Sequence, residues 1–353
     1  MRYTYTALML RSKVAIALSG GVDSSVAALL LRETGYEVTG IHLQLWDSLR
    51  SQEQARQTES LCKLLDIPLV TLDLQEEFGI HVVDCFCQEY QQGRTPNPCI
   101  ICNQHIKFGS LLQKALSMGF DYLATGHYAR LVCSQDSCHL LKARDLSRDQ
   151  SYFLYTLTQE KLRHLLFPLG SYSKGEVTRI ARQEGLPTAH PSQDICFISH
   201  KNYHSFLRQR FSSPPGDVID SGGKVRGHHK GIAFYTIGQR HGLGLASSNP
   251  LYVVRIEPKH NRIVLGPEKE LYSQKIVAEG LNWVAGQPPP THVPLSARIR
   301  YKSKEAEVTL SLQEEYAGVS FAEPQRAVAP GQAIVFYKGE EVLGGGIIKS
   351  TES

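Results

Sequence analysis

No apolar run in this chain approaches the roughly 18–20 residues that a bilayer span needs, so a membrane protein is not expected. The start, Met1 to Lys13, is short and mixed, with Tyr3 and Tyr5 breaking its apolar stretch. A secretory leader needs a longer apolar core and a small-residue cleavage site. The start therefore reads as a ragged extension before the first strand, with Met9 as an alternative first residue, and a cytoplasmic chain is expected. Cytosolic thiols stay reduced. The eight cysteines, Cys62, Cys85, Cys87, Cys99, Cys102, Cys133, Cys138 and Cys196, are thus not expected to form a disulfide framework. Metal, catalytic or buried thiols remain. A large net charge is missing too: +4 over 353 residues says little about partners. Its distribution says more. From Ser199 to Arg262, ten Lys/Arg stand against three Asp/Glu, with six His. A local excess of this kind attracts phosphate.

What is present is ordinary enough to build a full core: 42% hydrophobic and 20% charged residues, at a length that suits two or three domains. Lys13 to Leu18 reads as a buried parallel strand. Ser19 to Ser25 is a small-residue loop, and Val26 to Thr34 a helix stopped by Gly35. Tyr36 to Leu45 and Pro68 to Leu72 read as strands around a helix at Gln52 to Leu65. Leu111 to Met118 reads as a helix and Tyr122 to Thr125 as a fourth strand. This alternation predicts an α/β fold, a doubly wound parallel sheet, with ligands at the carboxyl ends of its strands. After Ser199 the texture changes to Gly, Pro and short strands, with a hinge at Pro288-Pro289-Pro290. Four short strands, Ser296 to Tyr301, Glu305 to Leu312, Ala333 to Tyr337 and Gly344 to Ile348, suit a small β-barrel. The expected division is 1–200 for the α/β domain, 201–275 for a small basic central domain and 276–353 for the barrel.

The sharpest local pattern is Ser19-Gly-Gly-Val-Asp-Ser-Ser25 between a strand and a helix. Two glycines let the backbone curl so that several N–H groups face one anion, and a helix start adds a positive dipole end. The string has neither the spacing nor the lysine of a Walker A loop. It resembles the PP-loop of the ATP pyrophosphatase family, whose members split ATP into AMP and pyrophosphate and adenylate a substrate. The resemblance implies that Asp23 lies near the Mg²⁺ that accompanies ATP.

A nucleotide loop leaves the acceptor open. Three further strings narrow it: Asn97-Pro98-Cys99-Ile-Ile-Cys102-Asn103 with Ile106-Lys107-Phe108-Gly109, then Thr125-Gly126-His127-Tyr128-Ala129, then Ser192-Gln193-Asp194-Ile195-Cys196-Phe197-Ile198. With Asp149-Gln150-Ser151-Tyr152-Phe153, Tyr235-Thr236-Ile237-Gly238-Gln239-Arg240 and Gly331-Gln332-Ala333, they resemble the MnmA/TrmU family of tRNA-specific 2-thiouridylases over almost the entire chain. The resemblance implies an adenine nucleotide α-hydrolase-like PP-loop domain. It also implies a reaction: ATP adenylates the C2 oxygen of the wobble uridine in the tRNAs for lysine, glutamate and glutamine, and sulfur then replaces that oxygen. Residues Ala17, Leu18, Ser19, Gly20, Gly21, Val22, Asp23, Ser24, Leu43 and Gly126 would meet the nucleotide. Asn97, Pro98, Cys99, His127, Arg148, Asp149, Gln150, Arg300, Tyr301 and Gln332 would meet tRNA. Cys196 would carry a persulfide sulfur delivered by a separate donor, and Cys102 would act as acid/base or close a disulfide as sulfur leaves. A monomer is expected.

Thiolates suit this work because they are strong nucleophiles once their pKa is lowered. One position departs from the family pattern: Cys99 stands where an Asp is common. Cys99, Cys102 and Cys196 make three thiols, a set able to hold a [4Fe-4S] cluster with one open iron, and some members of the family are argued to work that way. The persulfide route is the primary expectation. Cys62, Cys85, Cys87, Cys133 and Cys138 read as core or surface thiols. Basic residues of the middle segment, Arg208, Arg210, Lys224, Arg226, Lys230 and Arg240, are candidates for phosphate. Two rival readings are a PP-loop ligase or amidotransferase acting on a small carboxylate, and an RNA-binding protein with a decayed site. The first needs no cysteine pair; the second would not release AMP in the presence of RNA.

Overall fold

The computed structural model describes residues 12–186, 195–198, 203–245, 249–290 and 293–352. Ser192 to Asp194 of the last cysteine motif and the chain start lie outside them. The aliphatic runs become β1 (Lys13–Leu18), β2 (Glu37–Gln44), β3 (Leu69–Asp73) and β4 (Tyr122–Ala124). With β7 (Leu165–Leu166) they form one parallel sheet in the order β3-β2-β1-β4-β7. The order reverses at β1, so a crevice opens above the carboxyl ends of β1 and β4. Helices cover both faces: α1 (Val22–Glu33), α2 (Leu49–Leu64), α3 (Gln75–Phe78), α4 (Cys85–Gln91), α5 (Pro98–Ile101), α6 (Leu112–Ser117), α7 (Gln159–Leu162) and α8 (Lys174–Gln183). The expected doubly wound α/β fold is thus present. Alternate residues of β1 enter different cores, Val14, Ile16 and Leu18 packing under α1 and Ala15 on the opposite side.

Two local differences bear on the site. Helix α1 starts at Val22 rather than Val26, because Ser24 and Ser25 turn their hydroxyls back onto the Gly21 carbonyl (3.1 and 3.0 Å) and join the first turn. Between α5 and α6 the chain winds as a π-helix over Cys102–Leu111.

The hairpin β5 (Ala129–Cys133) and β6 (Cys138–Lys142) leaves the parallel sheet. Its two end cysteines are joined by a disulfide, against the expectation that Cys133 and Cys138 are free thiols. The hairpin register sets Cys133 directly opposite Cys138, with their Cα atoms 4.0 Å apart. Helix α9 (Tyr203–Arg210) leads into a second sheet of β8 (Gly216–Asp220), β9 (Val225–His229), β10 (Tyr252–Glu257) and β11 (Arg262–Gly266), ordered β10-β11-β8-β9.

The last part is antiparallel: β12 (Tyr272–Trp283), β13 (Leu295–Arg298), β14 (Ala306–Leu312), β15 (Tyr316–Arg326), β16 (Ala333–Lys338) and β17 (Glu341–Glu352). Pairing of β12 with both β15 and β17 closes it into a six-stranded barrel, as expected in kind. Strand β17 also pairs with β6, Glu341 opposite Leu141, so the barrel sheet continues into the hairpin of the first part.

Candidate active site at the nucleotide loop and the thiols

At the end of β1 the chain needs a sharp reversal before α1. Gly20 supplies it with φ of +71°, a region costly for any side chain, and a Cβ there would also crowd Gln57 and the Gln54 carbonyl of α2. The loop is braced from inside: the Ser19 N–H donates to Ser24 Oγ at 3.3 Å, and the two hydroxyls lie 3.3 Å apart. Helix α1 has no side-chain N-cap, so the first N–H groups of a 12-residue helix are left for an anion. Ser19 is exposed, Ala17 and Gly21 are half-buried, and Leu18 and Val22 are buried in the core under α1. Leu43, half-buried near the end of β2, packs against the core on the β2 side of the same crevice.

Asp23 sits in the first turn of α1, and one of its oxygens is doubly engaged. Lys174 Nζ lies 2.6 Å from Oδ1, and the Tyr128 hydroxyl donates to the same atom at 2.8 Å. A carboxylate oxygen beside an anion-binding loop is the right donor type for Mg²⁺. A cation arriving with nucleotide would compete here with the Lys174 ammonium.

The loop after β4 ties this half of the crevice to the cysteines. Gly126 lies flat against the start of α1: a Cβ there would meet the Ser24 nitrogen at 2.9 Å and the Asp23 carbonyl carbon at 3.0 Å, both backbone atoms. Next, the His127 ring is buried, with Nδ1 hydrogen-bonded to Thr125 Oγ1 at 2.7 Å and the ring 5.8 Å from Phe108 of the π-helix. Burial, with the nearby Lys107 charge, holds its pKa well below 6.5, so the imidazole is neutral at pH 7. Tyr128 then turns back to Asp23. Three consecutive residues therefore touch the nucleotide loop on one side and the thiol helix on the other.

Asn97 caps α5 by accepting the Cys99 N–H at 3.2 Å, with Pro98 at the first helical position, where a missing N–H costs nothing. Cys99 is solvent-accessible and Cys102, one turn on, is buried. Cys196 is also accessible; its neighbour Phe197 is buried among Trp46, Phe78, Phe86 and Phe206, ring centroids 5.3–6.2 Å away. That aromatic nest fixes the backbone that carries Cys196. Desolvation raises all three thiols, Cys102 to about 12 and Cys196 to about 11. Cys99 and Cys196 are thus accessible thiols in surroundings crowded enough to desolvate a thiolate. The mutual repulsion of these thiols contributes to the rise, which brings Cys196 and Cys99 into one electrostatic neighbourhood with Cys102.

Lys107 opposes that rise at Cys99, Cys102 and Cys196 alike. Lys107 lies five residues after Cys102 in the same π-helix, Cys102–Leu111. Among the described residues no carboxylate lies within ion-pair distance of Lys107. Sequence alone gives Lys107, Lys174 and Tyr128 no role. Lys107 and Tyr128 stand inside motif strings, but a lone sequence gives no sign of π-helical winding or of a contact 105 residues away.

The three thiols do not fit a metal cluster in this arrangement. Among the described residues no group of three or more His, Cys, Asp or Glu side chains is gathered closely enough to hold a metal ion.

The residues expected to meet RNA fall into two sorts. Arg148 and Arg300 are exposed, and Tyr301 packs at a tilt against Phe153 with ring centroids 4.4 Å apart. Tyr301 also feels the charges of Asp149, Arg148, Arg298 and Cys99, so it stands between the Asp149 network and that thiol. The others face inward. The Asp149 carboxylate is shut from solvent and accepts from Ala143 N, Ser151 N, Ser151 Oγ and Arg298. Gln150 accepts the Tyr128 N–H at 2.9 Å, and Gln332 donates to the Thr95 carbonyl at 2.8 Å. In this arrangement those three side chains brace neighbouring loops.

Comparison with known proteins follows the same outline. A family model described as the HUP domain of tRNA methyl transferase matches residues 12–200. One described as the PRC-barrel domain of tRNA methyl transferase matches 204–267, and one described as an aminomethyltransferase beta-barrel domain matches 273–348. The tRNA-specific 2-thiouridylase MnmA of Carboxydothermus hydrogenoformans is 46% identical over 360 residues, covering 96% of this chain and 98% of that protein. That of Moorella thermoacetica is 45% identical over 355 residues, covering 95% and 99%. Among solved structures, the U34-tRNA thiolase NcsA from Methanococcus maripaludis with its [4Fe-4S] cluster is similar at a TM-score of 0.39 and 20% identity, covering 59% of this chain and 67% of that one. On its family models and its near-full-length relatives, this chain belongs to the MnmA family of tRNA-specific 2-thiouridylases.

Proposed function

We propose that the chain is a sulfurtransferase that converts a wobble uridine of tRNA to 2-thiouridine at the expense of ATP. The observation that carries the reading is the Gly126–Tyr128 loop, which touches the PP-loop at Asp23 and Ser24 and the thiol-bearing helix at Phe108. The α/β part supplies the chemistry, and the central sheet and the barrel hold tRNA. The target base leaves its stack and enters the recess beside Asn97, Pro98 and Cys99.

The uracil C2 carbonyl is a poor electrophile. Its oxygen attacks the α-phosphorus of ATP, the α–β bridging bond breaks, and pyrophosphate leaves with the electron pair. Asp23 would hold the Mg²⁺ that accompanies ATP, which would supply charge neutralisation. The open N–H groups at the start of α1 take the phosphates, and Lys174, released from Asp23, is placed to follow them.

The outer sulfur of a Cys196 persulfide, loaded beforehand by a donor protein, then attacks C2, and AMP departs with the former carbonyl oxygen. Cys102 as thiolate attacks Cys196 Sγ. The sulfur–sulfur bond breaks, its electron pair goes to the sulfur on C2 to give the thiocarbonyl, and a Cys102–Cys196 disulfide remains. An external dithiol reduces it by two electrons before the next turn. Lys107 stabilises the anionic sulfur in each of these steps.

The test is an assay of ATP consumption and nucleoside composition with purified chain, undermodified tRNA, ATP, a cysteine desulfurase and a dithiol. The expected products are 2-thiouridine at the wobble position together with AMP. Replacing Cys196 by Ser should end thiolation and AMP release while RNA-dependent pyrophosphate formation continues. Thiolation by that variant at the normal rate, or AMP formation indifferent to tRNA, would refute the reading.

A further inference from the structure

Some 460 Å³ of open recess lies between the end of α9 and the turn after β9, lined by Arg208, Arg210, Lys230, Phe211, Phe234 and the small polar residues around Ser212. None of the lining residues is acidic. Its three cations are exposed, and among the described residues none of them lies within ion-pair distance of a carboxylate. Arg226, by contrast, is already paired with Asp220 at 2.7 Å. The structure thus separates the basic residues of this part into a neutralised one and a convergent trio without anions.

The trio is held in place by its surroundings. The Arg208 guanidinium lies over the Phe234 ring at 4.9 Å, and that of Arg210 over Trp46 and Phe206 at 5.2 Å each. Lys230 sits on a turn locked by its neighbour: His229 Nδ1 accepts the Gly231 N–H at 2.9 Å, and Nε2 bonds the Asn261 carbonyl at 3.0 Å. Gly231 has φ of +120°, and a Cβ there would strike Ser213, so the turn admits only glycine. Cations fixed in advance by stacking and by a rigid turn lose less freedom when an anion arrives.

We propose that this recess binds the phosphodiester backbone of the substrate tRNA, close to the reacting nucleotide. This rests on the functional reading given above. Two observations select RNA. The recess is shallow and open, which suits a strand lying across it rather than a small anion enclosed within it. It also adjoins the sulfur-bearing segment: Arg210 stacks on Phe206, and Phe206 packs at 5.3 Å on Phe197, the residue after Cys196. A strand held there has its next nucleotides beside the thiols.

The experiment is tRNA binding by the full chain, read by fluorescence anisotropy as a function of potassium chloride, for the wild type and for Arg208→Ala/Lys230→Ala. Each phosphate that is no longer neutralised lowers the slope of log affinity against log salt by roughly 0.7–0.9, so the double variant should show a slope smaller by about 1.5 and bind at least tenfold more weakly at low salt. Arg208→Lys/Lys230→Arg should keep the wild-type slope, and equal melting temperatures separate a binding defect from a folding defect. An unchanged slope in a folded double variant overturns the proposal while the wild type still binds and thiolates tRNA. An unchanged slope with thiolation lost from the desulfurase and restored by free sulfide also overturns it, and assigns the recess to an acidic protein donor. Failure of the wild type to bind tRNA at all would instead sink the functional reading itself.

Discussion

Lys107 carries a charge that no carboxylate balances among the described residues, and three thiols share its field. Each pKa unit is worth about tenfold in the thiolate population at fixed pH. Replacing Lys107 by Gln should slow single-turnover thiolation about tenfold or more and leave pyrophosphate formation in place. Removing the cation raises the thiol pKa values further, so the alkaline rise of the thiolation rate should move to higher pH. A rate profile unmoved along the pH axis would deny Lys107 this role. The same scale governs acid stability. His42, His127 and His229 are each held below 6.5, burial being the largest cause. Their folded forms are neutral while the unfolded chain takes up protons, so the stability they contribute is present above pH 6.5 and lost as pH falls below it. Urea midpoints should drop between about pH 8 and about pH 5.5; a flat or rising midpoint would contradict the assignment.

At the scale of elements, the loop after β4 is the piece that makes one site out of two. Gly126 has no room for a side chain because backbone, not a flexible tip, faces it. Gly126→Val should weaken ATP binding by an order of magnitude or more, about 1.4 kcal/mol, with binding followed by calorimetry. ATP affinity equal to that of the wild type would show that this close approach does not shape the nucleotide loop. Much of this element level is legible in the sequence. The four strands and the glycine loop declare themselves because buried parallel strands are continuous apolar runs and tight loops need glycine. The β5–β6 hairpin is not legible: Ala129 to Cys133 is short, and β17, the outer partner of β6, lies about 200 residues away. The extension of α1 back to Val22 depends on serine hydroxyls bonding to Gly21, which helical apolar spacing cannot reveal.

At the scale of the whole molecule, the first part and the barrel share charges as well as strands. Arg298 of β13 reaches Asp149 at 3.1 Å and Glu305 at 2.8 Å, and Lys142 of β6 reaches Glu305 at 2.6 Å. Asp149 is fully buried. Removing one partner of a buried pair strands the other, at a cost of about 3–5 kcal/mol. Asp149→Ala should therefore lower unfolding free energy by that order in denaturant titration, and a drop under about 1 kcal/mol would show the pair to behave like one on the surface. The sequence marks Asp149 only as a motif residue; its burial arises from a partner about 150 positions away.

The central claim is that the PP-loop and the two thiols act as one site. The direct measurement is a single turnover of persulfide-loaded enzyme with tRNA and ATP in the absence of reductant, followed by quantitation of AMP, 2-thiouridine and disulfide-linked peptides. Equal amounts of all three are predicted, the peptides being those of Cys102 and Cys196, and none of them when ATP is withheld. Thiouridine formed without AMP, or formed while both thiols remain free, would contradict it.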